Sequence, residues 1–223
     1  MGSETKVVFS MFYKHLTSLS SFSLLTYSMH PSEALTTKQP ATGIHPLRFL
    51  LVLMMVSIFM IFAAYTSAYI VRRNEGNWLE FDLPFGFLIT TLILVASSVS
   101  VQWAWFAARK DELGQVRTAL IVTTVLGAAF LIGQWQMWEQ LVGARIFFAG
   151  TDANPSGSFL YVLTGVHGFH LITGLLFLLL VLKKSFQYQV HSRQMLSIGN
   201  VTIYWHFLGA LWLYLYLFLL LNH

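Results

Sequence analysis

The chain has 223 residues, of which 56% are hydrophobic, 10% are charged and none is cysteine. A soluble domain of this size carries about a quarter charged residues, and a mean hydropathy of +0.65 points instead to an integral membrane protein. The missing cysteines exclude disulfides, iron–sulfur clusters and thiolate metal sites, and a net charge of +4 is no nucleic-acid signature.

Residues 1–46 come first and differ in kind from the rest. "SLSSFSLLTYSMHPSEALTTKQPATG" is rich in Ser and Thr and has no continuous apolar core, so it is not a secretory signal. The preceding "VVFSMFYKHLTSLSSF" is mixed enough to lie on a membrane surface; a weakly ordered arm is an equal reading, and Met29 is an alternative start. No internal repeat follows.

Five apolar spans come next, at about 48–71, 84–108, 119–143, 158–182 and 201–221. Each supplies roughly the 20 residues that cross a hydrocarbon core of about 30 Å. They must be helical, because lipid offers no partner to an unpaired N–H or C=O. The predicted fold class is therefore all-α, a five-helix transmembrane bundle over 47–223 with a polar N-terminal arm. Buried helices of a large soluble protein are a poor alternative for five such runs joined by short polar loops.

Charge sets the expected orientation. Lys6, Lys14, Lys38, Arg48, Arg109, Lys110, Arg117, Lys183, Lys184 and Arg193 fall on one side, against Arg72, Arg73 and Arg145 on the other. The positive-inside rule then places the N-terminus in the cytoplasm and the C-terminus outside.

Polar groups inside the spans are functional candidates, since each must find a partner. The second span holds Ser97 and Ser98, and the third holds Gln134, Gln136 and Glu139, the one acid within a span. In the fourth, "TGVHGFHLITG" places His167 and His170 three residues apart, on one helical face. Gly165, Gly168 and Gly174 flank them and predict close helix approach. The fifth carries Tyr204, Trp205 and His206 in "YWHF".

Three roles compete for the histidines. A shared haem needs ligands at matching depth, yet His206 lies about 8 Å and His170 about 18 Å from the inner edge. A proton relay needs titratable groups at successive depths, and no acid lies near the midplane. A transporter would show broken helices or inverted repeats. Interhelical hydrogen bonding, or contact with lipid and partner subunits, remains. A membrane cytochrome and a small transporter or channel stay as rivals from other classes.

These same stretches resemble subunit III of the haem–copper (cytochrome c) oxidases, from about Leu47 to the C-terminus. "TGVHGFHLITGLLFLL" is similar to the family's T-G-x-H-G-x-H segment, and "YWHFLGALWLYLYLFL" to its Y-W-H-F segment with Trp212 in register. "LPFGFLITTLILVASSVSVQWA" resembles the proline-initiated helix with paired serines, and Leu126, Gly127, Phe130 and Gln134 match the third helix more loosely. The resemblance is to a short, five-helix bacterial form that lacks the first two of seven spans. It implies a non-redox core subunit of a respiratory terminal oxidase that reduces O₂ and pumps protons. Haems and copper would sit in partner subunits I and II, subunit I being the main contact, and no catalytic centre, metal or cofactor in this chain. It further implies a bacterial inner membrane, bound phospholipid and membership of a larger respiratory supercomplex, with a quinol oxidase as the alternative setting. Structural, subunit or lipid contacts are then expected at His167, His170, His206, Tyr204, Trp205, Ser97, Ser98, Gln134, Glu139 and Lys184, the last at a lipid headgroup. Three family carboxylates are replaced, by Ile58, Met137 and Gly209, so functions resting on them do not carry over. The lipid cleft to which the missing helices contribute is not carried over either.

Overall fold

The structure, a computed structural model, describes residues 45–81, 83–151, 153–187 and 195–222. The expectations for the arm, including its surface-lying segment and Lys6, Lys14 and Lys38, lie outside the described residues, as does Arg193. Five helices long and apolar enough to cross a membrane make up the described part: α1 (Pro46–Asn74), α2 (Gly86–Arg109), α3 (Leu113–Gly143), α4 (Pro155–Phe186) and α5 (Leu196–Asn222). Most run past the hydropathy windows, and at the starts of α1 and α4 capping chemistry sets the limit.

Two starts show this. His45 accepts the Leu47 amide on its Nδ1 at 3.3 Å, with Pro46 opening α1. Asn154 accepts the Ser156 amide at 3.1 Å, with Pro155 opening α4. A proline there forfeits no intrahelical bond and its φ is already helical. Arg72 and Arg73 close α1, and Lys183 and Lys184 close α4, where cations complement the helix dipole. The Asn154 side chain also bonds the Leu79 amide (3.2 Å) and the Asn77 carbonyl (3.1 Å), pinning the α1–α2 loop to the start of α4.

Helices α2, α3, α4 and α5 pack in a ring, each against the next and α5 back against α2; α1 lies outside, against α4 and α5. The α2–α3 hairpin is the tightest pair. Its turn places Asp111 at φ 58°, and Ala104, Ala107, Ala108, Val116 and Ala119 are all buried between the helices. Small side chains let the two backbones approach closely, and Ser100 donates to the Ala119 carbonyl across the gap at 3.0 Å. Outside, Phe49, Phe59, Met60, Trp103, Phe106, Phe169 and Leu217 stand exposed. A soluble monomer does not carry such a belt; lipid covers it at no cost.

Candidate functional site

The most buried polar side chain of the fourth span sits at the centre of the ring. His167 is fully enclosed, its ring 5.0 Å from Trp212, 6.0 Å from Phe130 and 6.4 Å from Phe62. Trp212 in turn stacks on Phe87 at 6.2 Å and meets Phe130 edge-on at 4.9 Å. One ring from each of the five helices therefore meets near this point. Neither ring nitrogen of His167 has a hydrogen-bond partner among the described residues. The expected interhelical hydrogen bond is not made here. The imidazole contributes instead as a flat ring against aromatic edges, a geometry worth about 0.5–1.5 kcal/mol per pair beyond burial.

His170 shares that face, since its ring lies 5.9 Å from Phe62 as well. Its Nδ1 donates to the Val166 carbonyl one turn back at 2.8 Å, within its own helix. Only His206 bonds across helices: its Nε2 donates to Gln102 Oε1 of α2 at 2.9 Å.

Trp205 fills a slot cut from three neighbours. Its Nε1 donates to Ser97 Oγ at 3.0 Å, while Ser97 donates to the Leu94 carbonyl at 2.7 Å. The slot exists because Gly127 and Gly174 lack side chains. A Cβ on Gly127 would lie 2.7 Å from the Trp205 ring, and one on Gly174 would lie 3.3 Å from it and 2.9 Å from Leu208. Gly165 and Gly168 differ: a Cβ there meets nothing closer than 3.6 Å. Of the three glycines expected to allow close approach, only Gly174 is needed for it, and what approaches is an indole. Beside Trp205, the Tyr204 hydroxyl bonds Thr173 Oγ1 of α4 at 2.8 Å.

The remaining candidates lie apart. Gln134 is buried and donates to Thr90 of α2 at 3.0 Å, while its Oε1 has no partner among the described residues. Glu139 is exposed and accepts from Trp135 Nε1 on its own helix at 2.9 Å. Lys184 is exposed at the far end of the bundle, where it donates to Ser197 at 3.3 Å. Ser98 faces a groove between α2 and α5. Among the described residues no three His, Asp or Glu side chains gather as a metal site.

A chain with two buried indoles tied to α2 and a T-G-x-H-G-x-H helix facing them has close relatives. The family described as Cytochrome c oxidase subunit III matches residues 3–222. The chain belongs to that family. "Cytochrome c oxidase subunit 3" of Corynebacterium diphtheriae is 30% identical over 166 residues, 71% of this chain and 79% of the relative. "Probable cytochrome c oxidase subunit 3" of Nocardia farcinica is 33% identical over 168 residues, 72% and 80%. "Cytochrome c oxidase subunit 3" of Spodoptera frugiperda is 34% identical over 137 residues, 61% and 87%. The match begins well before Leu47, where the resemblance read from motifs starts, and takes in most of the N-terminal arm.

Within the cytochrome c oxidase subunit III family this chain is apolar where carboxylates were expected. Ile58 and Met137 are buried among hydrophobic side chains, and a Cβ on Gly209 would lie 3.0 Å from Ser98 Oγ. Sequence reasoning missed Thr91, which accepts the Trp212 indole N–H at 2.9 Å, and Gln102 and Thr173. All three are polar residues inside apolar spans, a signal present in the sequence but left unused.

Proposed function

We propose that the chain is the non-redox subunit III of a respiratory cytochrome c oxidase. The family match over residues 3–222 carries this reading. The chain is thus a multi-pass membrane component of a multisubunit oxidoreductase and holds no catalytic centre itself. Its ring of four helices is cross-tied by polar contacts, Trp205–Ser97 and Trp212–Thr91 in the interior, Tyr204–Thr173 beside them and His206–Gln102 at the α2/α5 surface. Such a ring is suited to flank and support subunit I, with subunit II further off and the haems and copper in those partners. Lys184 at the exposed end of α4 suits an anionic lipid headgroup.

Purification tests this. The chain should co-purify with haem-bearing partners and be colourless when separated from them. Replacing His167 and His170 together by Gln should leave the haem-to-protein ratio of the complex intact, because neither holds a haem. Loss of one haem per complex would restore the ligand role.

The same reading places the chain in a bacterial inner membrane, residues 1–46 in the cytoplasm and residues 47–223 as the membrane domain. The excess of basic residues on one side supports that orientation. Reporters fused after Val71, Arg109, Arg145 and Lys184 should read outside, inside, outside, inside. Cytoplasmic signals after both Val71 and Arg145 would reverse it.

A further inference from the structure

The outer wall between α2 and α5 is unlike the rest of the lipid-facing surface. Two adjoining hollows, of about 210 and 430 Å³, share Val95, Ser98 and His206 and together form one groove. Val99, Trp103 and Phe106 form one bank, and Ala210 and Leu213 belong to the other. Its floor is polar. The Ser98 hydroxyl has no hydrogen-bond partner among the described residues, and the His206–Gln102 bond leaves His206 Nδ1 and Gln102 Nε2 without one.

Depth restricts what can satisfy them. Gln102 lies about 10 Å and Ser98 about 16 Å along α2 from Arg109 at its end, at 1.5 Å per residue. His206 is bonded to Gln102 and lies at its level. A headgroup phosphate held near Arg109 does not reach that depth, and an acyl chain has neither donor nor acceptor. A polar group facing hydrocarbon without a partner is costly. By contrast the outward face of α1, with Phe59 and Met60, is wholly apolar and asks only for lipid. In the α3/α4 groove Thr164 and Trp138 already bond each other at 3.0 Å, and the Oε1 of Gln134 that lacks a partner among the described residues is buried away from the surface.

We propose that the α2/α5 groove seats a transmembrane helix of a neighbouring subunit, whose polar side chains hydrogen-bond Ser98, Gln102 and His206. The proposal rests on the reading of this chain as an oxidase subunit and names the face by which it joins the complex. Small residues shape the seat: Gly209 and Ala210 line it, and the absence of a side chain at Gly209 keeps Ser98 open to the incoming helix.

The native chain has no cysteine, so a single introduced one is a unique handle. In the intact complex, Ala210→Cys carrying a benzophenone should crosslink under light to a haem-bearing subunit. Phe59→Cys on α1 should give no polypeptide product. As a second measurement, Ser98→Ala with Gln102→Leu and His206→Leu should weaken retention of the chain on the complex by about 25-fold, at about threefold for each interhelical bond lost. Adducts of Ala210→Cys with lipid alone, or with a second copy of this chain, would overturn the proposal, as would a crosslink from Phe59→Cys in its place. If the unsubstituted chain co-purifies with no haem-bearing partner, the oxidase reading itself fails, an outcome distinct from a complex that forms through another face.

Discussion

An oxidase complex stripped of this chain is expected to begin turnover at a substantial rate and then to lose activity progressively. The expectation follows from what the chain lacks. Proton conduction through a membrane needs titratable groups at successive depths. Here the positions at which the family resemblance leads one to expect carboxylates hold Ile58, Met137 and Gly209, and Glu139 is exposed and bonded to Trp135. The end of the bundle assigned to the cytoplasm carries Arg48, Arg109, Lys110, Arg117, Lys183 and Lys184, and such a field repels an arriving proton. Removing the chain therefore takes away packing, and with it any lipid held at the flank, but no step of the reaction. The measurement is initial rate against lifetime in steady turnover, with and without the chain, at equal haem content. Zero initial activity, or full activity that never declines, would refute this role.

The largest stability effect is expected at Trp205. Trp205→Ala should cost about 3–5 kcal/mol, the usual loss for a buried aromatic truncated to alanine. The substitution also takes from Ser97 its indole donor, and it leaves a void between α2, α3, α4 and α5 where the ring now lies against Gly127 and Gly174. Gly127→Leu attacks the same slot from the other side. Its Cβ alone would press to 2.7 Å from the Trp205 ring and 2.9 Å from Leu175, an overpacking worth about 1–3 kcal/mol. The pair is the sharper test. In the double variant the leucine enters the space the indole vacated, so the combined loss should fall at least about 0.5 kcal/mol short of the sum, as for residues in contact. Unfolding midpoints of the four proteins in one detergent measure this. Strict additivity would mean that the ring and the glycine do not share a slot.

Much of the architecture is legible in the chain before any folding is considered. Five apolar runs, the prolines at the starts of α1 and α4, and the cations at their ends fix the number and the approximate limits of the helices. Each of these signals acts through bonds or solvent local to one segment: hydropathy against lipid, a ring that fixes φ, a charge beside unpaired carbonyls. The family, too, was readable, because its motifs are short and contiguous. The roles of the individual side chains were not. His167 and His170 look equivalent in the sequence, yet one is sealed in aromatic rings and the other bonds its own helix. Gly168 and Gly174 look equivalent, yet only Gly174 lies under an indole. Ser97 and Ser98 are neighbours, and Trp205 takes the first from 108 residues away while the second faces the groove. The apolar residues of helix α5 favour no one face, so its own pattern does not say which side turns inward. That choice falls to the fit of Trp205 and Trp212 against Ser97, Thr91 and Gly127, side chains brought together only when α2, α3 and α5 close the ring. Transfer into lipid is decided segment by segment, whereas the rotation of each helix is decided by packing among helices that lipid itself cannot tell apart.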